Sequence, residues 1–170
     1  MPFTIIHGII SYLAVRYFSK DKNILRLAFL GGLAPDIDGY PLLLGDFDLY
    51  RKIHHEWLHP PIYGLLFGIF FSAIFYLYCK KKNIKFNYFA GIFVFFIGYL
   101  LHSVVDIITS DWAINFIYPF GNMYLGDILN IKNYFLMNAL DLFIVFLAII
   151  CLAYFYTKDK NVFFELFNFK

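Results

Sequence analysis

The chain is expected to be an all-α membrane protein: a polytopic bundle of about five helices with a polar metal site near one membrane face. Three observations point there. Of its 170 residues, 61% are hydrophobic, 23% aromatic and only 15% charged, against roughly 25% charged in soluble domains. Long apolar runs alternate with short polar connections, and the histidines gather at one end of those runs. A chain of this length forms one compact domain, here 1–170. The formal net charge of +2 gives no basic field, so no nucleic-acid partner is expected. Cys79 and Cys151 lie within apolar runs without paired spacing, which argues against a disulfide framework or a thiolate metal site.

The elements follow in order. The opening MPFTIIHGIISYLAVRYF has no basic leader and no small-residue cleavage site, and His7 interrupts its apolar core, so it is expected to be retained. Residues 3 to 18 and 24 to 34, separated by SKDKN, read as a helical hairpin of marginal length. Residues 61 to 79, 86 to 109 and 135 to 156 are runs long enough to span, since a crossing takes about 20 apolar residues. Helices are required because unpaired backbone groups in hydrocarbon are costly, and the runs lack the alternation of barrel strands.

Five alternating helices place Lys20, Lys22, Arg26, Lys80, Lys81, Lys82, Lys85, Lys158, Lys160 and Lys170 on one side. By the positive-inside rule that side is cytoplasmic. The opposite connections hold Arg51, Lys52 and Lys132 together with Asp36, Asp38, Asp46, Asp48, Glu56, Asp111 and Asp127. The expected location is therefore the cytoplasmic (inner) membrane, with the N-terminus and the polar site facing outward. Every histidine falls on that outer side, which random placement of polar helix ends would not produce.

In HSVVD, His102 and Asp106 are four apart, so both stand on one helix face and can reach a single ion. Ionisable groups inside a membrane are expensive and usually placed for function. GGLAPDIDGYP offers Asp36 and Asp38, either as oxygen ligands or as one ligand and one group orienting a ligand histidine. KIHHEWLHPP puts His54, His55 and His59 within six residues ahead of a long apolar run, and neutral imidazole is the commonest protein metal ligand. Glu56, in the same stretch, is the candidate general base. Asp141 is expected to hydrogen bond the cluster or cap its helix. The aromatic stretch SDWAINFIYPFGNMY suits a re-entrant or interfacial loop over a lipid, or an aromatic belt.

Taken in order, His7, GGLAPDID, HHEWLH, HSVVD and YPFG resemble the YdjM-like family of membrane-bound, metal-dependent hydrolases over residues 7 to about 121. The resemblance implies His7, Asp36, His54, His59, His102 and Asp106 as metal ligands, with Asp38 a ligand or a catalytic group beside them. His55 stands where that family carries an arginine, Glu56 where it carries glycine and Pro60 where it carries serine. His55 and Arg51 become the candidates for contacting an anionic substrate, with Lys52 as a further source of charge. The implied cofactor is a divalent transition metal, one to three ions of zinc, with manganese or iron as alternatives. The implied reaction is metal-assisted hydrolysis of a phosphoester in a membrane lipid or envelope intermediate. Rival readings of the same polar cluster are a small metal or proton carrier, a haem-binding anchor and a non-catalytic membrane partner. A carrier would need polar groups continuing inward, whereas the third to fifth helices become almost wholly apolar toward their cytoplasmic ends.

Overall fold

The computed structural model describes residues 4 to 54, 56 to 109, 114 to 125 and 134 to 158. Its helices are α1 (Thr4–Arg16), α2 (Lys22–Leu33), α3 (Tyr40–Leu43), α4 (Phe47–Ile53), α5 (Pro61–Lys81), α6 (Tyr88–Thr109) and α7 (Tyr134–Lys158), with a 3-10 turn at Pro35–Gly39 between α2 and α3. The five expected helices are present, and two short ones, α3 and α4, fold within the connection ahead of α5. Among the described residues, extended pairing is limited to one bridge between Asn115 and Tyr124.

Among the described residues, three helices, Pro61–Lys81, Tyr88–Thr109 and Phe135–Lys158, are long and apolar enough to cross a membrane. With 13 residues in α1 and 12 in α2, those two reach only about 20 Å at 1.5 Å per residue, short of the ~30 Å hydrocarbon core. Such helices persist because longer neighbours shield them. Accordingly α2 is the most enclosed element: Leu25, Leu27 and Ala28 are buried, and it packs on α1, α5 and α6. Its start is fixed by Asp21, whose carboxylate accepts from the backbone N–H groups of Asn23 and Ile24. That satisfies two of the donors a helix N-terminus leaves open.

α5 is built inside out. Its buried face is Gly64, Gly68 and Ser72 at four-residue spacing, while Leu66, Phe70 and Leu77 stay exposed. Small residues let helix backbones approach where lipid supplies no hydrophobic drive, and large ones face the acyl chains. The facing side of α6 carries Gly91, Phe95 and Tyr99. α2 meets α6 equally closely, since a Cβ on Gly31 would run into the Phe95 backbone and one on Gly98 into the Ala28 carbonyl. Ser11 of α1 donates to the Gly98 carbonyl at 3.1 Å, adding a polar tie. α7 packs against α1 and α6 and leaves Leu142, Phe143, Phe146 and Ile149 exposed.

Candidate metal centre

Five pieces of chain bring polar side chains to one end of the bundle. α1 contributes His7 from its first turns, the 3-10 turn after α2 contributes Asp36 and Asp38, α4 ends on His54, His59 precedes α5, and α6 carries His102 and Asp106 in its last two turns. The antiparallel run of α1, α2, α5 and α6 brings these ends together. His7, Asp38, His54, His59, His102 and Asp106 are all buried, and Asp36 keeps 11% of its side chain accessible.

Asp36, His59, His102 and Asp106 each present one donor atom, and the four atoms lie within 4.8 Å of one another. His102 Nε2 is 3.0 Å from Asp106 Oδ2 and 3.3 Å from Asp36 Oδ1. His59 Nε2 is 3.4 Å from Asp106 Oδ2 and 3.8 Å from Asp36 Oδ1. Ligands at 2.0–2.1 Å from a tetrahedral ion sit about 3.3 Å apart, so these spacings match donors arranged around one cation. His102 Nε2 makes no aligned hydrogen bond among the described residues despite full burial. An imidazole nitrogen left so is costly unless a cation takes its lone pair. The donor set therefore fits a divalent metal.

Around this group lies a ring of supports. The Gly32 carbonyl accepts from His102 Nδ1 at 2.8 Å. Asp38 Oδ1 is 2.6 Å from His54 Nδ1, and Asp38 Oδ2 is 3.3 Å from His59 Nδ1. Asp38 Oδ2 also accepts from the Leu58 backbone N–H at 3.4 Å. Asp38, His54 and His59 form a second cluster of potential donors that shares His59 with the first. His7 stacks on His102 with ring centroids 3.9 Å apart and places Nε2 3.3 Å from Asp106 Oδ1. Ser103 donates to the His59 carbonyl at 3.2 Å, pinning that loop to α6.

The electrostatics follow from these contacts. Burial works to raise the Asp36 carboxyl, but the facing His102 imidazole and the Thr4 hydroxyl hold it well below the usual carboxylate range. Asp38 is likewise opposed by burial and held low by His54 and His59. For His59, burial favours the neutral ring, yet Asp106 and Asp38 on either side keep its pKa above the ordinary value. Burial and then the carboxylates of Asp36, Asp38 and Asp106 push the Tyr50 phenol up, so it stays protonated.

Of the other residues expected at the site, Glu56 accepts from the Tyr124 hydroxyl at 3.1 and 3.3 Å. That ties the loop ahead of α5 to the one after YPFG. Asp141, on α7, joins neither donor cluster. His55 lies outside the described residues, and Arg51 is described only as backbone within α4. Three participants were not singled out from the sequence: the Gly32 carbonyl, Ser103, and Tyr50, whose ring stacks on His54 at 4.6 Å. Tyr50 lies four residues before His54, a helical spacing that offered a signal once α4 was suspected.

Fold and site together define an α-helical membrane protein with a buried His/Asp cluster able to hold a metal ion. The chain belongs to the family described as YdjM inner membrane protein, which it matches over residues 3–167. No curated protein and no solved structure matches it.

Proposed function

We propose that the chain is a membrane-bound, metal-dependent hydrolase that cleaves a phosphoester of a lipid or envelope intermediate, with its site at the extracytoplasmic face. The observation that carries this reading is the meeting of Asp36, His59, His102 and Asp106 within 4.8 Å, drawn from three separate stretches of chain. Two imidazoles and two carboxylates suit zinc, with manganese or ferrous iron as alternatives. A divalent ion bound there would supply Lewis-acid polarisation of a phosphoryl oxygen and acidify a water.

The chain's own groups divide the remaining work. Asp36 and Asp106 bring the negative charge that holds a cation, and Asp36, the least enclosed of the four, marks the open side. Glu56 is the candidate proton acceptor, held by Tyr124. Arg51 and His55 are the candidates for contacting the phosphoryl group. Exposed Leu43, Leu44, Phe47 and Trp57 border this end of the bundle, where an apolar rim suits a substrate that stays partly in the bilayer.

Elemental analysis of detergent-purified protein, paired with a phosphodiester and phospholipid hydrolysis screen, tests the proposal. Bound transition metal is expected, together with hydrolysis that stops on chelation and returns with zinc. Replacing both His102 and Asp106 by Ala is expected to remove metal and activity together. Full metal retention in that variant would overturn the site, and metal without hydrolysis of any phosphoester would overturn the hydrolase reading while sparing the metal centre.

A further inference from the structure

His102 shows how an imidazole is set for a cation in this bundle. Its Nδ1 faces the Gly32 carbonyl at 2.8 Å, and a carbonyl only accepts, so Nδ1 carries the hydrogen and Nε2 offers a lone pair. His59 repeats this arrangement with a carboxylate in place of the carbonyl. Its Nδ1 lies 3.3 Å from Asp38 Oδ2, while Nε2 turns to Asp36 and Asp106. Asp38 is itself held on three sides, by His54 Nδ1, His59 Nδ1 and the Leu58 N–H. The 2.6 Å between Asp38 Oδ1 and His54 Nδ1 is a hydrogen-bond distance. It is too short for two ligands of one ion, which stand about 3.3 Å apart.

We propose that Asp38 is a positioning residue: it accepts the Nδ1 hydrogens of His59 and His54, fixes His59 with its Nε2 lone pair toward Asp36 and Asp106, and makes one ion the full complement of the two clusters. This deepens the metal-centre reading and rests on it. Asp38, His54 and His59 then hold no ion of their own. His54 steadies Asp38 and is in turn stacked under Tyr50. The device resembles the carboxylate–histidine–metal arrangements whose loss typically weakens metal binding 10–100-fold.

The test uses the full chain in detergent, with zinc stoichiometry at saturation, zinc affinity by chelator competition, and the visible spectrum of the cobalt-substituted protein. Wild type is expected to bind one ion. Asp38→Ala is expected to keep one ion at saturation but bind it 10–100-fold more weakly. Asp38→Asn, whose amide oxygen still accepts from Nδ1, recovers part of that loss. His54→Ala keeps both stoichiometry and cobalt spectrum, since His54 touches Asp38 and not the ion, and it carries the test together with Asp38→Asn if Asp38→Ala does not fold. A second ion in wild type that disappears in His54→Ala or in either Asp38 variant would overturn the proposal and leave the metal centre standing. Unchanged affinity in Asp38→Ala, or in Asp38→Asn and His54→Ala alike, would also overturn it. A wild-type protein that binds no zinc would instead overturn the metal-centre reading, and this proposal with it.

Discussion

At the scale of single residues, the centre depends as much on groups that hold its imidazoles as on the imidazoles themselves. Ser103 is a case. It sits one turn above Tyr99 on α6 and donates to the His59 carbonyl at 3.2 Å, with the Tyr99 carbonyl at 3.4 Å as a second acceptor. Removing the hydroxyl leaves a buried carbonyl without that donor, a loss of about 1 kcal/mol. Ser103→Ala is therefore expected to lower stability in detergent by about that much and to weaken zinc binding several-fold, with stoichiometry unchanged. Thermal unfolding and chelator titration check both, and a complete loss of metal would mean that Ser103 does more than anchor the loop. The residue scale also shows what the sequence could reveal. His102 and Asp106 were legible because helix periodicity alone puts positions four apart on one face. The pairing of Asp38 with His59 spans 21 positions and closes only when the 3-10 turn meets the loop before α5. The Gly32 carbonyl had no sign at all, because a backbone acceptor has no side-chain signature.

At the scale of elements, the apolar runs located the long helices well, and the mixed stretch between them hid α3 and α4. Residues 40 to 53 combine Pro41, Gly45, Asp46 and Asp48 with four leucines, so turn signals mask two short helices there. The GG pair is the opposite case, where local preference and tertiary need conflict. Alanine in place of a mid-helix glycine gains about 1 kcal/mol of helix propensity. At Gly31, however, the added Cβ would strike the Phe95 backbone, which has no flexible end to give way. Overpacking of that kind costs typically 1–3 kcal/mol, so the clash outweighs the propensity gain. Gly31→Ala is expected to lower the unfolding temperature in detergent and to weaken metal binding, because α2 leads directly into the 3-10 turn that carries Asp36. Gly39→Ala is the matching control: its Cβ would meet only Tyr50 Cε2 at an ordinary 3.7 Å. Equal stability of the two variants would show that α2 and α6 do not cross as closely as described.

At the scale of the molecule, the proposed extracytoplasmic placement of the cluster follows from the positive-inside rule and can be tested directly. The 21 residues of α5 rise roughly 30 Å, from Pro61 beside His59 at the centre to Lys81 at the other end. Leu44 stands exposed between α3 and α4 near the centre, whereas Lys82 stands exposed where α5 stops. The basic residues collect at the Lys82 end, and positive charge is retained on the cytoplasmic side. Leu44→Cys, with Cys79 and Cys151 replaced, is then expected to react in intact cells with a membrane-impermeant maleimide. Lys82→Cys in the same background is expected to stay unlabelled until the membrane is opened. The reverse pattern would turn the centre toward the cytoplasm and exclude substrates confined to the outer leaflet, while leaving the metal chemistry of the cluster as it is. Labelling of both positions in intact cells would show that α5 does not cross the bilayer, and the inside-out packing of its small and large residues would then need a protein partner in place of lipid.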